Sequence, residues 1–362
     1  MVARGFSWRE KKISYLPGQP ETVKESQDVT LRGLRLKGNK EDLPNMIFFT
    51  DLFDSVESWM PFFMNEKHKI LDHRNVYILN PRNFGLSDRC DAHDDSGEAL
   101  AADIERFMYQ HKITMATVGG HGLGAKNALL AGCYRSQLVT GILALDYAPQ
   151  DYHYFEIAHS YRAILDEISQ MPLEGVSRRA LDNKLESVIQ NPKLLQLFKK
   201  NLKQTGKGAF AWSFNLDYVK KYINDLLDWK VNYGLYTGRS RFVFPEYSNH
   251  VFLGNNTLAM HKICISNRGF NEDIFSVRTA TDNAERNHWI YEDENLSNEV
   301  ASLSLEFLQW HDGVDTLLKS RHEIYSGTTV QTIPNNRKDK YNGEVSPGHL
   351  HHNWRFRDEE NA

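Results

Sequence analysis

The sequence predicts an α/β protein: a mostly parallel sheet with helices on both faces and an all-helical cap insertion. Three observations carry this. Asn45–Phe49, Val76–Leu79, Ile113–Val118 and Ile142–Leu145 are short, continuously apolar runs, as expected of strands buried on both faces. Stretches with helical spacing separate them, so successive strands are joined by crossovers and run parallel. Between about Gln150 and Trp229 the strand signal stops while helical spacing continues.

Taken in order, Ile13–Leu16 and Val29–Leu36 have short alternating patterns and predict an edge hairpin. After the Asn45–Phe49 strand, Val56–Phe63 is expected to be helical. Asn80–Ser87 is a turn-rich loop. Ser96 can cap a helix that carries Leu100, Ile104, Phe107 and Met108 at helical spacing. In the insertion, Ile157, Tyr161, Ile164, Leu165 and Ile168 fit one helix. Ser177 caps a second, and Pro192 starts a third. Tyr233–Thr237 is expected to resume the sheet and Ile274–Thr279 to end it, with irregular or helical structure over Thr257–Ser266. Leu296, Val300, Leu303 and Phe307 space a closing helix. The chain therefore divides into an N-terminal extension with edge strands (1–40), a first part of the core (41–149), a helical cap (150–229), a second part of the core (230–312) and a polar C-terminal extension (313–362). From Ser326 onward it nearly lacks aliphatic residues and cannot bury enough apolar surface to fold by itself.

Composition narrows the function classes. A net charge of −4 over 362 residues gives no global basic field to draw nucleic acid. No apolar run approaches the roughly 20 residues of a membrane helix. Cys90, Cys133 and Cys264 are odd in number and far apart, which suits a reducing compartment. No Cys/His spacing resembles a zinc site, and neither a metal nor a cofactor is expected. Arg4, Arg9, Lys11 and Lys12 make a basic start that is compatible with a mitochondrial presequence, or equally with an ordinary basic end.

The organising stretch is Val118–Ala125, a glycine turn between an apolar strand and a helical run. Strand, tight turn and helix are the setting of the nucleophile elbow, G-x-S-x-G. Here Gly120 and Gly124 supply the outer glycines, and Gly122 stands where the nucleophile belongs. Glycine has no side chain to attack with.

Five short motifs in order resemble the α/β-hydrolase superfamily, and within it a small-cap group of mitochondrial serine hydrolases. Arg82-Asn83-Phe84-Gly85-Leu86-Ser87 looks like that group's R-N-H-G-x-S, and Gly120–Lys126 like its G-H-S-M-G-G-K. Asp146-Tyr147-Ala148-Pro149 looks like D-I-x-P, Trp212–Asp217 like W-x-x-N-L-D, and Asn287–Ile290 like G-H-W-I. The resemblance implies an α/β-hydrolase fold over about residues 40–310. It also implies that His288 is the catalytic histidine, Asp217 its acid, and Thr50, Asp51, Leu52 and Leu123 the oxyanion-loop positions. With Gly122 in place of serine, these are relics. Asp51 stands where the family has glycine, and a carboxylate there opposes the negative charge an oxyanion hole stabilises.

The expected function is therefore a catalytically inactive member of the fold, reused as a structural subunit of a larger assembly. The resemblance implies a mitochondrial address, at the matrix side or inner membrane, and a respiratory or ATP synthase complex is the expected partner. Arg337, Lys338, Tyr341, Trp354, Arg355 and Phe356 in the tail are the interface candidates, being cationic and aromatic. The alternatives are a pseudo-hydrolase that binds an acyl ligand or signals, with lipid held between cap and sheet, and an active esterase with an unorthodox nucleophile.

Overall fold

The computed structural model describes residues 29–91, 96–152, 154–231, 236–251, 253–264, 275–280 and 288–309. Seven strands form one sheet in the order β1-β3-β2-β4-β5-β8-β9. They are β1 (Gly33–Leu36), β2 (Asn45–Phe49), β3 (Asn75–Leu79), β4 (Ala116–His121), β5 (Val139–Leu145), β8 (Arg239–Pro245) and β9 (Phe275–Ala280). Only β1, at the edge, is antiparallel to its neighbour. The continuous apolar runs follow from burial on both sides. Ile47 and Phe49 of β2 join one core with α2 (Gly97–Gln110), α3 (Leu123–Tyr134) and the cap. Met46 and Phe48 join the other, with α1 (Val56–Met64) and the helix over 294–309.

The predicted caps Ser96 and Ser177 each accept a backbone N–H at a helix start, which satisfies a donor the helix cannot. Ser55, for which no cap was predicted, does the same for α1. Asn191 caps α6 (Pro192–Asn201), with Pro192 in the first turn.

The structure corrects two expectations. The insertion is not all helical. Between α4 (Glu156–Ile168), α5 (Arg178–Val188), α6 and α7 (Leu216–Leu227) lies a hairpin of β6 (Leu202–Gly206) and β7 (Ala209–Trp212). Four of the five β6 residues are exposed, so no hydrophobic period marks it. The strand after the cap is Arg239–Pro245 rather than Tyr233–Thr237. Tyr236 and Thr237 lie outside any strand, and 232–235 are outside the described residues. The interval between β8 and β9 carries α8 (Leu253–Ile263). Ile13–Leu16 also falls outside the described residues, and the described neighbour of β1 is β3.

Several contacts fasten cap to core. Lys126 Nζ donates to the carbonyls of Asp225, Leu226 and Asp228 at 3.3, 2.9 and 2.6 Å, a cation at the carbonyl end of α7. Phe53, fully buried with φ +63°, packs its ring 4.8–5.2 Å from Tyr161, Phe198 and Phe214 of the cap. Phe53→Ala is expected to cost about 3–5 kcal/mol, read from urea unfolding, because the cap aromatics cannot close the hole. A loss below about 1 kcal/mol would show that the cap does not depend on this ring.

Candidate functional site

Strand register brings three loops to one place. Phe49 pairs with Gly120, and His121 with Leu145, so β2, β4 and β5 end together at the carboxyl edge of the sheet. Chains leaving parallel strands there deliver Asp51, Gly122 and Asp146 to a common point. Gly122 has φ +52° and ψ −126° and ties its N–H to Leu145 O at 2.9 Å. Only glycine adopts this backbone at low cost. Gly124 is required for closeness, since a Cβ there would stand 2.2 Å from Phe49 O. Asp146 also has positive φ, +48°. Strained backbone thus collects at this edge, as it does at functional sites.

The space above the turn is filled from within the chain. Asp51 Oδ1 accepts the Leu123 N–H at 2.6 Å, and Oδ2 meets His288 Nε2 at 2.8 Å. His288 Nδ1 meets Asp146 Oδ2 at 2.6 Å, and Ser248 Oγ donates to Asp146 Oδ1 at 2.5 Å. A Cβ built on Gly122 would lie 2.3 Å from Asp51 Oδ1. The cavity that remains, bounded by Asp51, Gly122, Asp146, Tyr147, His250 and His288 among others, is about 20 Å³. That is room for about one water.

Both His288 nitrogens face carboxylate oxygens, so both donate and the ring is an imidazolium. Burial works against that charge, but the hydrogen bonds and charges of Asp146 and Asp51 raise its pKa to about 10. Burial likewise opposes ionisation of Asp51 and Asp146. At Asp51 His288 overcomes this, helped by His121 and the Leu123 N–H; at Asp146 His250 and then His288 overcome it; both carboxyls are held below the usual range. His121 and His250 pack against the imidazolium with tilted rings, their centroids 4.3 and 4.0 Å away. Burial and the His288 charge depress both, His121 to about 3. His121 donates from Nε2 to His288 O at 2.8 Å, which fixes the loop from behind.

No protein-family model matches the chain. It is 30% identical over 164 residues to the sn-1-specific diacylglycerol lipase ABHD11 of Xenopus laevis, which covers 43% of this chain and 49% of that protein. To the protein of the same name in Mus musculus it is 25% identical over 236 residues, 62% of this chain and 74% of the other. The chain thus spans about half the length of the first relative and three quarters of the second. Among solved structures, a marine microorganism esterase superposes with a TM-score of 0.66 at 21% identity, over 78% of this chain and all of that one. The chain has the α/β-hydrolase fold and resembles the ABHD11 proteins.

In a hydrolase elbow, the N–H of the residue after the nucleophile is one oxyanion donor. Here that N–H belongs to Leu123, and Asp51 takes it. The expectation for Asp51 was opposition to an oxyanion; its carboxylate instead occupies the oxyanion's place. Thr50 and Leu52 do not face the turn's N–H in this way. Thr50 Oγ1 accepts from Asn80 Nδ2 at 3.2 Å, and Leu52 is buried in the core.

The expected pair of His288 and Asp217 does not form. Asp217 is exposed in the first turn of α7, where a negative charge suits the helix dipole. Within the motif that suggested it, Asn215 does the structural work. It caps α7 and donates to Asp91 Oδ1 at 2.9 Å, which joins cap to core. The acid that orients His288 is Asp146, one residue past β5. Sequence reasoning singled out Asp146-Tyr147-Ala148-Pro149 but gave it no role in the site, although a carboxylate at a strand's carboxyl end is a general site signal. Ser248 and His250 were missed and have no local signature. Arg337, Lys338, Tyr341, Trp354, Arg355, Phe356 and Asn287 lie outside the described residues.

Two groups have metal-ligand composition, Asp51 with His121 and His288, and Asp146 with His250 and His288. His288 belongs to both, and its two nitrogens are taken up by the carboxylates of Asp51 and Asp146.

Proposed function

We propose that the chain is a non-hydrolytic α/β-hydrolase-fold protein kept as a structural subunit of a larger assembly. Asp51 carries the first half of this reading. Its carboxylate holds the Leu123 N–H and saturates His288, so an acyl carbonyl has neither an oxyanion donor nor a base, and Gly122 provides no nucleophile. The subunit reading draws on what is left once chemistry is gone: a fold whose cap and sheet are fastened by buried contacts and whose space above the glycine turn has room for about one water. The mitochondrial address, and membership of a respiratory or ATP synthase complex, draw on the resemblance and the basic N-terminal residues.

A fluorophosphonate probe should leave the purified protein unlabelled, and p-nitrophenyl esters should not turn over. On a native gel the protein should run with a large complex, and mass spectrometry should find inner-membrane subunits beside it. A free monomer would overturn the subunit reading. Robust turnover abolished by His288→Ala would overturn the non-hydrolytic one.

A second reading, a lipid-active hydrolase, draws on the names of the ABHD11 relatives. It requires Asp51 to withdraw and another group to attack. Turnover of a long-chain acyl ester favours it; co-purified lipid without turnover favours acyl binding instead.

A further inference from the structure

One segment of the cap is basic. Between Glu174 and Phe210, eight lysines and arginines face three acids, an excess of five positive charges in a chain whose net charge is −4. Part of that charge converges on a groove of about 420 Å³, built where α5, the end of α6 and β6 meet. It is open to solvent and shares no lining residue with the Asp51 site.

Its floor is fixed. Arg178 reaches Asp182 Oδ1 at 3.0 Å and donates to the carbonyls of Leu202 at 2.8 Å and Lys199 at 2.7 Å. Those contacts use three of the five guanidinium N–H groups and leave donors for a ligand. Lys199 is held by Glu186 at 2.6 Å. Lys200 and Lys203, at the rim, are exposed and enter no ion pair among the described residues. The amides of Gln196 and Gln204 complete a lining rich in hydrogen-bond donors. A planar, immobilised guanidinium with two mobile ammonium groups suits an anion with several oxygens and more than one charge. A neutral or apolar ligand would leave those cations uncompensated.

We propose that this groove binds a phosphoryl group, presented by a soluble polyphosphate or by the headgroup of an anionic lipid. Arg178 positions the phosphoryl oxygens, and Lys200 and Lys203 close over them. Binding is electrostatic and weakens as salt rises.

The test has two arms on the full chain: calorimetric titration with inorganic pyrophosphate, and co-sedimentation with phosphatidylcholine vesicles with and without phosphatidic acid. Lys200→Glu/Lys203→Glu should weaken binding by about tenfold or more, since two charge-assisted contacts are lost. Lys40→Glu/Lys262→Glu, with the same change in net charge at exposed positions elsewhere, should bind like the wild type. Pyrophosphate binding alone supports a soluble ligand. Vesicle binding alone supports a headgroup. Binding in both arms, with pyrophosphate displacing the vesicles, supports one groove for both. Binding in neither arm, or equal weakening in the control variant, overturns the proposal. Lys200→Gln/Lys203→Gln offers a milder variant, with unchanged thermal unfolding as the check that the cap is intact.

Discussion

His288→Ala is expected to destabilise the protein by about 3–5 kcal/mol near neutral pH, read from urea unfolding. The imidazolium lies between two buried carboxylates, Asp51 and Asp146. Deleting it leaves two buried like charges without their shared counter-charge. The pH dependence identifies the cause. The His288 pKa is raised in the folded state to about 10, from about 6.5 when unfolded. Its contribution is therefore complete below about pH 6.5 and is lost as pH rises through about 10. Asp51 and Asp146 are depressed in the folded state. Their contribution is present above about pH 4 and is lost as pH falls through their folded values. The wild type should show a plateau of this contribution between about pH 4 and 6.5. In the variant the unpaired carboxylates prefer to be protonated, so the gap to wild type should narrow on acidification. A small gap that does not change with pH would mean that the triad stores little of the stability.

Gly122→Ser with Asp51→Gly should turn the relic into a site that a fluorophosphonate labels, whereas Gly122→Ser alone should not. The single variant places a Cβ 2.3 Å from Asp51 Oδ1 on a backbone with φ +52°, so it should also unfold more easily. Removing the Asp51 carboxylate makes three changes at once. The added side chain gains space. The Leu123 N–H becomes available to an oxyanion, a contribution worth about 10²–10³ in rate. His288 keeps only the Asp146 partner, which orients a histidine base as in a triad. Equal labelling of single and double variants would show that Asp51 is not the block. A folded double variant without labelling would place the block in the aromatics that close the cavity, Tyr147 of the core and Tyr152 and Tyr161 of the cap.

Much of this fold was legible in the sequence because its strongest signals are local. A strand buried on both faces reads as a continuous apolar run, and Met46–Phe49 and Ile142–Leu145 declared themselves that way. Caps at Ser96 and Ser177 act within one turn. The glycine frame Gly120-x-Gly122-x-Gly124 announced the elbow, and the structure gives Gly122 the backbone that such a turn requires. The β6–β7 hairpin escaped notice because β6 is polar and exposed, and its pairing energy lies in the backbone, which every residue shares.

The sequence by itself determined that Gly122 carries no nucleophile and that Asp51 and His288 sit in loops beside the sheet. Whether those residues meet depended on strand register, which sets the ends of β2, β4 and β5 level and is fixed by contacts far apart in the chain. Asp51 and His288 are 237 residues apart, and Asp146 and His288 are 142 apart. Only the tertiary structure could choose Asp146 over Asp217 as the partner of His288. Only it could make the Asp51 carboxylate the occupant of the oxyanion donor, because the interaction is one of buried charge, and burial is a property of the folded chain.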